Sequence, residues 1–115
     1  MKYMLLNYVD PATEPKYGTP EFDAMIASYT AVATALRGAG VAFSGDGLQG
    51  LNTATSVRVK GGKTETMDGP FAETKEYLAG FYVIDVPDLD TAVKYAAMIP
   101  AATHGTIEVR PVMVW

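Results

Sequence analysis

Leu78-Ala79-Gly80-Phe81-Tyr82-Val83-Ile84-Asp85-Val86 is the stretch on which the fold turns. β-branched and aromatic residues crowd it, so it reads as a strand. Alternate residues of a strand point to opposite faces of the sheet. Here both sets are apolar: Leu78, Tyr82, Ile84 and Val86 in one, Ala79, Phe81 and Val83 in the other. A strand apolar on both sides belongs in a sheet covered on both faces.

Downstream, Asp88 can cap a helix that carries Leu89, Ala92, Val93, Ala96 and Ile99 on one face and stops at Pro100. Gly105 to Trp115 closes the chain as a strand. Upstream, Gly61-Gly62 separates Ser56–Lys60 from Lys63–Met67. Two adjacent glycines supply the positive φ that a type I′ hairpin turn needs. That register puts Arg58 opposite Glu65, a favourable cross-strand pair. Before the hairpin, Val41–Phe43 is a short strand and Ser44–Leu51 a glycine-rich loop. Thr19-Pro20 starts a helix, with Thr as the cap and Pro in the first turn. Phe22, Met25, Ile26, Tyr29, Val32, Ala33 and Leu36 recur at helical spacing, and Gly38 and Gly40 end the run. Lys2–Val9 is the first strand.

The order is strand, helix, strand and hairpin, strand, helix, strand. It predicts a ferredoxin-like α+β sandwich with an inserted hairpin. Two helices cover one face of a four-stranded sheet, so the other apolar face needs a second layer. The same sheet from a second copy, in a symmetric homodimer, is the cheapest source. A ligand groove in a monomer is the other solution.

A length of 115 residues suits one domain spanning 1–115, and 49% hydrophobic residues suffice for a core. The absence of cysteine excludes disulfides, thiolate metal sites and cysteine nucleophiles. A net charge of −4 argues against nucleic acid and against an anionic membrane surface as partners. No segment has the ~20 apolar residues of a membrane helix. The N-terminal run lacks a cleavage site and reads as a strand rather than a signal peptide, which places the protein in the cytoplasm.

Gly45-Asp46-Gly47-Leu48-Gln49-Gly50 matches G-x-G-x-x-G literally, yet no helix start follows it, so it reads as a loop and not as a nucleotide site. With a single histidine, His104, a zinc site of several nitrogen or sulfur ligands is excluded. No metal or cofactor is expected, which leaves acid–base chemistry by side chains alone. Asp68 leads that set, because Gly69-Pro70 turns the chain and can aim its carboxylate into a cavity where burial raises its pKa. It is equally the residue type that simply holds such a turn, and residue type alone favours that reading. Glu108 and Arg110 share a face of the last strand. They form either a structural ion pair or an anchor for an anionic substrate, which the planar guanidinium suits. Tyr82 is of the right type to line the same cavity or to pack in the core. His104 is a loop histidine, either solvated or a proton shuttle if near Asp68.

Asp68-Gly69-Pro70-Phe71 with Glu73 and Lys75, then Gly80-Phe81-Tyr82, then Ile107-Glu108-Val109-Arg110-Pro111, resemble the signature pieces of the DGPF-domain family, a branch of the YciI-like (YCII-related) proteins. The resemblance covers nearly the whole chain. It implies a dimeric α+β barrel, two sheets face to face with a cleft in each protomer. It also implies acid–base work by a histidine and an aspartate in that cleft. Asp68 matches the aspartate, whereas Lys2–Val9 contains no histidine to match the other. Resemblance to neighbours of extracytoplasmic-function sigma factors implies a regulatory role in bacteria. Two expectations follow. One is a small-molecule-binding dimer working as a cofactor-free lyase or isomerase, with Asp68 as acid or base, Arg110 and Glu108 on an anionic ligand, and Tyr82 or His104 assisting. The other is a ligand-sensing or protein-binding module without turnover.

Overall fold

The computed structural model describes residues 1–115. It is an α+β fold with strands β1 (Lys2–Val9), β2 (Phe43–Gly47), β3 (Thr55–Lys60), β4 (Lys63–Asp68), β5 (Tyr77–Asp85) and β6 (Thr106–Pro111). Its helices are α1 (Pro20–Gly38) and α2 (Leu89–Ala96), with 3₁₀ turns at Leu51–Thr53 and Pro100–Thr103. Four strands form an antiparallel sheet in the order β2-β5-β1-β6, and β3 and β4 form a separate two-stranded sheet.

The local chemistry of each element is visible. Thr19 accepts the Phe22 N–H at the start of α1, with Pro20 in its first turn. Asp88 accepts both the Thr91 N–H at 2.9 Å and the Thr91 hydroxyl at 2.7 Å at the start of α2. Gly61 and Gly62 take the positive φ of the hairpin turn, and Arg58 does lie opposite Glu65.

The sequence reading erred at β2. The paired segment begins at Phe43 and runs through Gly45-Asp46-Gly47, the residues read as a loop. Glycine is required there by proximity. A Cβ on Gly45 would meet the Phe81 carbonyl oxygen, and one on Gly80 would stand 2.9 Å from the Asp46 carbonyl oxygen. The last strand is also shorter than read, ending at Pro111, and α2 ends at Ala96, ahead of Pro100.

Both helices lie on one face of the four-stranded sheet. Tyr3, Leu5 and Val9 of β1 and Ile84 of β5 pack there against Val32 and Leu36 of α1 and Ala92, Tyr95 and Ala96 of α2. The opposite face carries Met4, Leu6 and Tyr8 of β1, paired with Val83, Phe81 and Leu78 of β5. These side chains are half-buried, and no helix of the chain covers them. A bulge where Asn7 pairs with Gly80 but Tyr8 with Leu78 shifts the alternation of β5. Leu78 therefore shares a face with Phe81 and Val83, not with Tyr82 and Ile84 as a regular strand would have it.

Only 15 of the 115 residues are buried. The radius of gyration is 16.1 Å, against the roughly 13 Å of a compact domain of this length. The hairpin accounts for much of the difference: β4 is exposed throughout, and β3 is exposed at every position but Ser56.

Candidate functional site

A cleft of about 460 Å³ opens between α1, the β1–α1 loop and the β2 side of the sheet. Strand parity supplies its floor. Asn7 follows Leu5 on the helix face of β1, between two buried apolar neighbours, and is 5% exposed. Opposite it sits Gly80, which pairs on its other side with Gly47, and two residues along β2 lies Gly45 across from Tyr82. The glycines leave the floor low, so backbone rather than side chain faces the cleft there. Met25, Ile26 and Tyr29 are the α1 side of the wall.

Asp10 organises the rim. Its carboxylate accepts the Ala12 N–H at 2.9 Å, and its carbonyl accepts the N–H groups of Thr13 and Glu14 at 3.1 Å. This tight turn brings Glu14 to the mouth of the cleft, where its carboxylate accepts the Tyr77 hydroxyl at 3.3 Å.

Two features of this site are electrostatic. First, the Asn7 amide oxygen is fully buried and has no hydrogen-bond donor. Buried polar atoms nearly always have a partner, so the orphan oxygen sets Asn7 apart from the apolar residues on either side of it. Second, the phenols are held neutral. Burial, then the neighbouring Tyr82 and Glu14, push Tyr29 up to about 12. Burial likewise raises Tyr82. Tyr77 is raised by burial and by its contact with Glu14. All three are hydrogen-bond donors at neutral pH, and two of the causes require Tyr29, Tyr82 and Glu14 to be neighbours.

The residues singled out from sequence fall in separate places. Tyr82 lines the cleft on the helix face. Glu108 and Arg110 pair with Leu6 and Met4, so they stand on the opposite, open face and cannot share a cavity with Tyr82 inside one chain. The expectation that Tyr82 lines their cavity is corrected on this ground: the side chains of β5 and β6 alternate, and these lie at opposite parity. Asp68 is exposed at the end of the hairpin, next to Gly69, whose φ is 92°. It borders a wider recess of about 1020 Å³ with Tyr8, Phe71, Glu73, Glu76 and Leu78. None of His104, Glu108, Arg110 and Tyr82 lines that recess. His104 follows the Pro100–Thr103 turn, with its Nδ1 3.4 Å from the Thr103 hydroxyl and its Nε2 buried without a partner.

The recess is larger, yet the cleft is the better candidate. Asp68 and Glu73 in the recess are exposed and solvated, whereas the cleft gathers a buried orphan acceptor, neutral phenols and a carboxylate. Asn7, Glu14 and Tyr29 were missed from sequence. Asn7 had a readable signal: a polar residue at the inward parity of an apolar strand. Tyr29 had none, since its spacing is that of a core-facing helix residue. No group of three or more His, Asp or Glu side chains is placed to hold a metal ion. No helix is long and apolar enough to cross a membrane.

The model of the YCII-related domain matches residues 1–115. An uncharacterized protein of Rhizobium meliloti (strain 1021) is 35% identical over 117 residues, a match that spans 100% of this chain and 94% of that one.

Proposed function

Because the chain belongs to the YCII-related family, we propose that it binds a small organic molecule in the cleft between α1 and the sheet. It does so as half of a symmetric homodimer in which two open sheet faces meet, giving a ferredoxin-like dimeric barrel. The orphan Asn7 amide oxygen carries this reading. An unsatisfied buried acceptor costs about 1–3 kcal/mol, so the chain keeps an amide in the cleft floor at a cost to its own stability. The cleft volume of about 460 Å³ lies within the ~300–1,000 Å³ of small-molecule sites.

Binding comes before catalysis here. A general acid or base works best with a pKa near the operating pH, and the cleft phenols are displaced upward, away from it. They are suited to holding a ligand rather than moving its protons. Turnover of the lyase or isomerase type would rest on Asp68 in the recess, a separate place on the chain. A sensor without turnover would need only the cleft.

A thermal-shift screen of small organic compounds against the wild type, Asn7→Val and Asp68→Asn tests this. The expected result is a compound that stabilises the wild type and Asp68→Asn but not Asn7→Val. A compound whose effect survives Asn7→Val and vanishes in Asp68→Asn moves the site to the recess. A screen in which nothing stabilises the wild type leaves the cleft reading without support.

A further inference from the structure

Resting on the dimer of that reading, we infer that its two sheets are joined along β6. Each β6 pairs antiparallel with the β6 of the second copy, and the twofold axis passes through Val109. β6 is an edge of the four-stranded sheet, with β1 as its neighbour on one side and none on the other. An edge strand offers unpaired backbone groups to a strand that can lie beside it.

Hydrogen-bond parity says which groups are on offer. The Val112 N–H donates to the Lys2 carbonyl at 2.9 Å. Backbone groups of alternate residues in an antiparallel strand point to the same side. Arg110, Glu108 and Thr106 therefore direct theirs at β1, and Ile107, Val109 and Pro111 turn theirs outward. Pro111 stands where its missing N–H breaks no bond to β1. With the axis at Val109, that residue exchanges both its bonds with Val109 of the partner subunit. Each Ile107 N–H meets a Pro111 carbonyl across the seam, and the Ile107 carbonyl is left to solvent.

Charge selects this register. Glu108 and Arg110 share the open face with Leu6 and Met4, the face that the dimer covers. Both are exposed in the single chain, and its two ion pairs, Met1–Asp85 and Lys75–Asp10, involve neither. Charges taken between two sheets need partners. With Val109 on the axis, Glu108 lies directly opposite Arg110 of the partner subunit, and Arg110 opposite Glu108 of the partner subunit. These are non-hydrogen-bonded positions, where side chains across a pair come closest. An axis at Glu108 or at Arg110 sets like charges face to face. An axis at Ile107 puts Glu108 opposite Thr106 and Arg110 opposite His104. The other edge strand, β2, carries Asp46 as its single charge, so a seam of β6 with β2 can pair Arg110 but not Glu108. An edge guarded against its own copy carries charges of one sign; Glu108-Val109-Arg110 carries both, one on each side of the axis.

Sedimentation equilibrium over a concentration series gives the dimer dissociation constant of the wild type, Glu108→Arg, Arg110→Glu and the chain with both exchanges. Each single exchange is expected to weaken the dimer by about tenfold or more, since attractive pairs become repulsive ones. The double exchange restores the pairs with their signs reversed and should return to within about threefold of the wild type. The chain has no cysteine, so Val109→Cys adds a single thiol to each copy, at the ~5.5 Å Cα separation of a hydrogen-bonded pair and within disulfide reach. Oxidised glutathione should link Val109→Cys into a covalent dimer and leave Thr106→Cys unlinked. A dimer indifferent to both single exchanges, or a double exchange as weak as either, overturns the seam and leaves the face-to-face dimer standing. Cross-linking of Val109→Cys no faster than that of Thr106→Cys overturns the seam as well. A wild type that sediments as one chain at every concentration overturns the seam together with the dimer it rests on.

Discussion

Asn7 occupies a position where strand parity calls for an apolar side chain, between Leu5 and Val9, which are 1% and 2% exposed. Its buried oxygen has no protein partner, so the wild-type residue is poorly matched to stability. Asn7→Val should therefore raise the urea midpoint, by about 1 kcal/mol or more in unfolding free energy, while abolishing the ligand response. A destabilised Asn7→Val would show that the amide is satisfied in solution. Tyr29 makes a second prediction at this scale. Its folded pKa stands at about 12 against an ordinary value of 10.0. The raised value means that the neutral phenol's contribution to stability is complete below pH 10. It is lost as pH climbs through the window between the two values. The urea midpoint should fall across that window, and fall less steeply in Tyr29→Phe. The residue scale is also where the sequence was least legible. Tyr29 looked like a core residue because helical periodicity reports which face is inward, not whether that face is packed or hollow. Tyr82 lies on the helix face and not with Glu108 and Arg110, because which residues of β5 and β6 share a face is set by their registers against β1, which residue types do not announce.

At the scale of elements, the sequence was informative wherever one local rule decided the outcome. The Gly61-Gly62 turn, the Thr19 cap and the Asp88 cap are short-range signals, and each element began where its signal placed it. β2 escaped because its glycines serve a neighbour distant in sequence, Phe81, rather than a local turn. That distinction is testable. Gly45→Ala forces a methyl group against the Phe81 carbonyl oxygen and should cost about 1–3 kcal/mol in urea unfolding. Gly47→Ala has nothing near its Cβ position and should stay within about 0.5 kcal/mol. Equal effects at the two sites would mean that β2 is not held against β5 in solution.

The whole molecule is thin, with extents of 50 × 43 × 18 Å, and its apolar strip of Met4, Leu6, Tyr8, Leu78, Phe81 and Val83 is backed by helices on one side only. That β5 is apolar on both faces was legible from its sequence alone. Which residues make up each side was not. If two copies meet through this strip, sedimentation equilibrium should return the mass of two 12.3 kDa chains, and Phe81→Glu should return one. Asn7→Val, on the other face, should not change the mass. A wild type that sediments as a single chain removes the dimer from the proposal while leaving the cleft in place.

The bulge in β5 has one further consequence, for the lengths that homologous chains can have. Ala79 is the extra residue between Gly80, opposite Asn7, and Leu78, opposite Tyr8. Deleting it would straighten the strand and remove the carbonyl that accepts the Leu48 N–H at 2.7 Å. Yet Leu78 would still face the open side, and Tyr77 would still face Glu14. Deleting Gly80 or Leu78 would also be absorbed by the bulge, with Ala79 taking the vacated place, whereas a deletion beyond Gly80 would turn over the residues between it and the bulge, exchanging inward for outward side chains like a reading-frame error written in space. A one-residue gap in an alignment of relatives is therefore best tolerated within this strand at positions 78–80, and a relative with the gap further along β5 should have rebuilt the side chains between the gap and the bulge.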